Sequence, residues 1–177
     1  MASVIIDFMS TFFIGLFAGA MLTEAVIIVP QWKIIGAVEF NRLHKVLNQR
    51  FFRFFAPVTT LAVTFAQLNF VSKFKQGEES LSSGIIAILM LLCLASFFLF
   101  FKAANEKFKT TIFSDEELID VISTWHKVHW VRTIIALMAF GLSVYFAIKT
   151  EQFDFFISFE ATLPKSISAI LPLLCEP

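Results

Sequence analysis

From Gly84 to Phe101 the chain runs through eighteen residues without a charge, thirteen of them Ile, Leu, Met or Phe. Wound as a helix at 1.5 Å per residue, this stretch covers roughly 27 Å, close to the hydrocarbon thickness of a bilayer. A membrane span is the expected outcome, and the rest of the chain has to fold around it. Three other stretches repeat the pattern. The first is Phe8 to Val29, with Pro30 as its stop. The second is the later part of a helical pattern from Ala37 to Val71, one long helix or two in series with a kink at Pro57. The third continues the Trp125–Thr133 segment as far as Lys149. At 58% hydrophobic content, with 24 phenylalanines in 177 residues, the chain has too much apolar surface for a soluble domain of this size. The sequence therefore predicts an integral membrane protein.

The expected fold is all-α: a transmembrane up-down-up-down four-helix bundle over residues 1–150, with extramembrane extensions of the second and fourth helices. Ser114 followed by Asp115, Glu116 and Glu117 forms a capping box, so the fourth helix should start at Asp115. Up to Lys149 it would measure roughly 50 Å, and its first turns must project beyond the bilayer. Residues 151–177, where Phe153, Phe155, Phe156 and Phe159 interleave with Asp154 and Glu160, read as an interfacial or re-entrant tail that seals the bundle end or docks on a partner. The first apolar segment lacks a basic flank and a small-residue cleavage pattern, which predicts a retained helix. Cys93 and Cys175 form neither a disulfide framework nor a CxxC motif.

Charge sets the orientation. Lys33, Arg42, Lys45, Arg50, Arg53, Lys102, Lys107, Lys109, Lys127 and Arg132 flank the first and third connections, against Lys73, Lys75, Lys149 and Lys165 on the other side. The excess places those connections in the cytoplasm and both termini outside it, in a bacterial inner membrane. Cytoplasmic labelling of a cysteine at position 78 would overturn this arrangement. Four spans then bring Glu24, His44, Asn105, His126, His129 and Arg132 to one end of the bundle.

The densest chemistry lies in Trp125–Thr133, which holds two of the three histidines and two of the three tryptophans. At 100° per residue, Trp125, His129 and Arg132 share one arc, continued by Thr133, Ala136, Phe140 and Ser143, while Val131, Ile134, Ile135, Met138 and Leu142 form the opposite, bulky side. Small and polar residues of a membrane helix face other helices, so His129 and Arg132 should point into the bundle, while Lys127 and Trp130 serve as headgroup anchors. Glu24 is the one ionisable residue inside the first span, a site candidate by its cost alone. Gly15, Gly19 and Thr23 form a small-residue stripe on the same helix for close approach of a neighbour. On the second helix, Glu39, Arg42, Lys45, Gln49, Arg50 and Arg53 fall on one side, and His44 lies on the other among Phe40, Asn41, Leu47, Asn48, Phe51 and Phe55.

Two classes of function follow. In the first, the protein is an enzyme acting on a lipophilic small molecule from the bilayer, with Glu24, His44 and His129 as acid/base or ligand groups, Arg132 as counter-charge, and Asn105 and Trp125 holding a cofactor. In the second, it is a structural or accessory subunit of a larger membrane complex or a homo-oligomer, and the polar cluster is a buried hydrogen-bond knot. Loss of turnover without loss of assembly in His129→Ala would favour the first. A metal is a further expectation: Glu24, His44, His126 and His129 offer three nitrogens and one oxygen, which suits iron, copper or zinc, although the paired Glu-x-x-His motifs of di-iron bundles are absent. No glycine-rich phosphate loop is present, and the basic residues are spread along membrane boundaries, so no nucleic-acid partner is expected.

The spacing Trp125-x3-His129-x2-Arg132-Thr133 at the start of the last span, with Asn105 at the exit of the third helix and Glu24 and His44 on the first two, resembles the four-helix membrane family that includes the fungal anthrone oxygenases. The similarity covers about residues 8 to 148. It implies a membrane-embedded pocket and, for some members, metal-free oxygenation of a lipophilic aromatic. The family often carries a second asparagine shortly after the position of Asn105, where this chain has Glu106, Lys107 and Phe108.

Overall fold

The computed structural model describes the backbone of residues 2–77 and 80–162. Among these residues all regular structure is helical, gathered into four long helices. They are α1 (Ser3–Trp32), α2 (Ala37–Gln76), α3 (Leu81–Thr110) and α4 (Asp115–Thr162). All four are long and apolar enough to cross a membrane, α4 by its stretch Asp115–Lys149. The chain divides into two compact units, Met1–Ser143 and Val144–Pro177. The first is the four-helix bundle and contains every residue of the site described below.

Capping explains where the helices begin. Ser114 and Glu117 form the expected box: the Ser114 N–H donates to Glu117 Oε2 at 3.0 Å and the Glu117 N–H donates to Ser114 Oγ at 3.3 Å. Asp115 has a second role. Its Oδ1 accepts the Ala37 N–H at 2.6 Å, capping α2 from the start of α4. Gly36 precedes Ala37 with φ +77, a conformation open to glycine, and a Cβ there would lie 3.5 Å from the same carboxylate oxygen. At the other end of α2, Gly77 is left-handed and returns its N–H to the Lys73 and Phe74 carbonyls.

Several elements run further than sequence punctuation implies. Pro57 does not divide α2, a single helix of 40 residues and about 60 Å, twice the hydrocarbon thickness. Neither does Pro30 end α1. A π turn over Glu24–Ile28 shifts the hydrogen-bond register ahead of the proline, and the helix continues through Val29–Trp32. A second π turn, Phe97–Phe101, joins the apolar part of α3 to its polar end at Lys102–Thr110. Finally, α4 continues past Lys149 to Thr162, because no proline or glycine interrupts that segment. The remainder of the expected tail, 163–177, lies outside the described residues.

The faces of α4 are as the periodicity predicts. Trp125, His129, Arg132, Thr133, Ala136 and Ser143 are buried, whereas Val131, Ile134 and Met138 are exposed. The small-residue stripe of α1 is corrected in part. Gly15 meets α4 closely, since a Cβ there would stand 2.7 Å from Phe140 Cε2, but a Cβ on Gly19 would meet nothing within 4 Å. Thr23 is exposed and spends its hydroxyl on the Gly19 carbonyl at 2.9 Å. Packing rotates these two positions away from any neighbour in the bundle.

Candidate functional site

At the end of the bundle where α1 meets α2, Val29, Trp32, Phe40, Phe101, Phe108, Phe113 and Trp125 pack into an aromatic-rich core. Beside it lies a cavity of about 510 Å³ to which all four helices contribute. The apolar part of its wall is largely aromatic: Trp32 from α1, Phe51, Phe52 and Phe55 from α2, Phe97, Phe98 and Phe101 from α3, and Trp125 from α4. Polar groups supply the smaller part of the surface. Glu24, His44, Asn48, Thr59, Asn105 and Arg132 line the interior, and Lys102, Glu106 and Lys109 line the rim. A volume within the ordinary range of small-molecule sites, an apolar lining and a few convergent polar groups are what a ligand pocket requires.

Both π turns border this cavity, and the first has a visible cause. Within Glu24–Ile28 the Val29 N–H bonds the Glu24 carbonyl, five residues back, in place of the Ala25 carbonyl. The next residue is Pro30, which has no N–H to offer. Ala25 is thus left without a backbone donor, and His126 of α4 supplies one: its Nε2 stands 2.8 Å from the Ala25 oxygen. A carbonyl only accepts, so Nε2 of His126 carries the proton. The turn displaces Glu24 from the register of an uninterrupted helix and sets it in the cavity wall, 7% exposed. Phe97, Phe98 and Phe101 reach the cavity from the second π turn. Such turns are frequent at functional sites.

His129 sits one layer behind the wall. It is 1% exposed, its Nε2 donates to the Met21 carbonyl at 3.0 Å, and Trp125 stacks on it with centroids 4.7 Å apart. Glu24 Oε2 stands 3.8 Å from the same Nε2. His129 therefore orders the groups around Glu24 and Trp125 without itself lining the cavity. Trp125, at the surface of that stack, donates its Nε1–H to Asn105 Oδ1 at 3.1 Å, so the two residues expected to hold a cofactor hold each other at the cavity wall.

His44 is buried in an aromatic nest, stacked on Phe40 at 5.0 Å and edge-on to Trp32 and Phe108 at 5.7 and 5.3 Å. The Asn48 amide lies 3.1 Å from its Nε2, and its Nδ1 is buried without a hydrogen-bond partner. Arg132 is 8% exposed. Its guanidinium carbon stands 5.3 Å from the Phe17 ring and 5.2 Å from the Phe101 ring, and its Nε is likewise buried and unpartnered. Glu24 attracts it electrostatically.

The structure does not gather Glu24, His44, His126 and His129 into a ligand set: among the described residues no three His, Cys, Asp or Glu side chains converge on a point where a metal ion would sit. The reason is local. Nε2 of both His126 and His129 is committed to a main-chain carbonyl of α1, and His44 is turned into its aromatic nest beside Asn48. Glu24, His44, Asn105, Trp125 and Arg132 do share one cavity. Sequence reasoning missed Thr59, Phe97 and Phe98 as lining residues and Phe17 as the partner of Arg132. Of these, only Phe97 and Phe98 carry a signal, as part of the phenylalanine cluster at the polar exit of α3.

No protein-family model matches the chain, and no curated protein or solved structure is significantly similar to it.

Proposed function

We propose that the protein binds a lipophilic small molecule from the bilayer in the aromatic cavity and acts on it there as an oxygenase-like enzyme. The observation that carries this reading is the placement of Glu24 and Arg132, both buried within segments long and apolar enough to cross a membrane, in the wall of a cavity whose surface is mostly apolar. Ionisable residues inside a membrane segment are expensive and mark functional sites by default. In this reading Glu24 moves a proton to or from the bound molecule, Arg132 is the counter-charge to negative charge on that molecule, and the Trp125–His129 stack holds the wall in place. The Trp-His-Arg-Thr spacing supports kinship with the anthrone-oxygenase-like proteins. The excess of Lys and Arg around the cavity end supports an up-down-up-down arrangement with that end in the cytoplasm.

Purified protein is to be supplied with a panel of lipophilic hydroxylated aromatics, with oxygen uptake and product mass as readouts. Turnover by the wild type should fall at least about 100-fold in Glu24→Gln, the usual scale for an acid/base group, while the unfolding midpoint is retained. Wild-type turnover in Glu24→Gln would remove Glu24 from the chemistry and refute the mechanism.

A further inference from the structure

Arg132 carries a charge that the fold leaves without a direct partner. It is 92% removed from solvent, its Nε has no hydrogen-bond acceptor, and among the described residues no carboxylate comes within the 4 Å of an ion pair. The groups that face it are the rings of Phe17 and Phe101, the Cys93 thiol that donates to its backbone carbonyl at 3.7 Å, His129, and Glu24 at longer range. Ring contacts offset part of the cost of a buried guanidinium but supply no hydrogen-bond acceptor in the plane of its N–H groups. A cation in a membrane segment is retained where an anion or acceptor completes it.

We propose that the completing group is the carboxylate of the bound molecule: the cavity takes a lipophilic monocarboxylic acid, acid end inward on Arg132 and apolar body along Phe51, Phe55, Phe97 and Phe98. This rests on the cavity being a site for a lipophilic small molecule, as proposed above, and names the class of that molecule. Three features select a carboxylate. The guanidinium edge presents parallel N–H groups in one plane, the geometry that two carboxylate oxygens match. A neutral carbonyl or alcohol would satisfy Nε and leave the charge standing, whereas a phosphate monoester would bring up to two negative charges beside Glu24. The lining also suits an acid with a long apolar body, because Phe52 and Phe98 border the cavity and are each 61% exposed on the outside of the bundle. A chain longer than the cavity can pass between them into lipid. The reverse orientation, acid outward at the rim, is less well provided for: Lys109 is already paired with Glu106 at 2.9 Å, and exposed lysines are screened by water and salt.

Two of the three tryptophans, Trp32 and Trp125, line the cavity, so a Trp130→Phe protein reports on it by fluorescence. In phosphatidylcholine nanodiscs, quenching by dibrominated stearate is compared with quenching by its methyl ester, which has the same chain and no charge. An Ala56→Phe version of the protein, in which an added ring obstructs part of the cavity, shows how much of the quenching depends on that space. Stearate should bind about tenfold or more tightly than the ester, the scale of one charge-assisted bidentate contact. The preference should collapse in Arg132→Met and survive in a Lys102→Gln/Lys109→Gln variant. Equal affinities in the protein with Arg132 intact would overturn the carboxylate assignment and leave the cavity reading in place. That comparison needs no Arg132 variant to fold. A preference abolished by the lysine substitutions and kept in Arg132→Met would overturn the inward orientation. Quenching no greater than in the Ala56→Phe protein, for acid and ester alike, would overturn the cavity reading and this inference with it.

Discussion

The contact between His126 and the Ala25 carbonyl gives the sharpest test of how the site is built. Among the described residues His126→Leu removes the side-chain donor to that carbonyl, and no helical donor replaces it, because Val29 N–H has moved to Glu24 and Pro30 has none. Interhelical hydrogen bonds in membranes average about 0.6 kcal/mol, with values near 1.7 at the top, since the unfolded chain usually finds other partners. Here the proline denies the usual partner, so the expected loss lies at the upper end, about 1.5 kcal/mol. An exposed control such as Lys127→Leu should stay within about 0.5 kcal/mol. Pro30→Ala restores a backbone N–H. That group can bond Ala25 directly in the π register, or let the helix revert to α, in which Val29 bonds Ala25. In either case the orphan is satisfied, and His126→Leu in the Pro30→Ala background should cost about 1 kcal/mol less than alone, a coupling of the size seen for residues in one network. The contact of His126 with Trp130, at 6.2 Å, is lost in both arms of the cycle and cancels. Equilibrium unfolding in mixed detergent micelles, followed by tryptophan fluorescence, supplies the four free energies. Additive effects, with coupling within about 0.3 kcal/mol of zero, would refute the argument that proline and histidine act on one carbonyl.

Gly15→Ala should destabilise the bundle by about 0–2 kcal/mol, the overpacking of a Cβ 2.7 Å from Phe140 Cε2 less a gain of up to about 1 kcal/mol in helix propensity, whereas Gly19→Ala meets nothing within 4 Å and keeps that gain. The same unfolding assay separates them, and equal effects would contradict the close approach of α4 at Gly15. Asp115→Ala should cost about 0.5–2 kcal/mol through loss of the acceptor for the Ala37 N–H, while Asp115→Asn keeps an acceptor and most of the stability. Equal losses in the two variants would show that charge at the start of α4, and not the cap on α2, is what matters.

Much of this molecule is determined by local sequence. Run length and hydropathy mark four helices long and apolar enough to cross a membrane, the box at Ser114–Glu117 marks where α4 begins, and the 100° spacing of Trp125, His129 and Arg132 separates the buried side of α4 from the exposed one. Each of these depends on residues within a turn or two, so the chain itself carries the information. The assignment of each polar atom is another matter. That His126 caps a carbonyl orphaned by a proline on another helix, that His129 turns to Met21 behind the cavity wall, that Asp115 caps α2, and that Gly15 but not Gly19 is approached all depend on how far one helix is rotated and shifted against its neighbour. That offset is set by the packing of side chains distant in sequence. Periodicity brings the three histidines to one end of the bundle. Only the tertiary structure parts them: His126 and His129 each bond a main-chain carbonyl of α1, while His44 meets Asn48 on its own helix inside the aromatic nest.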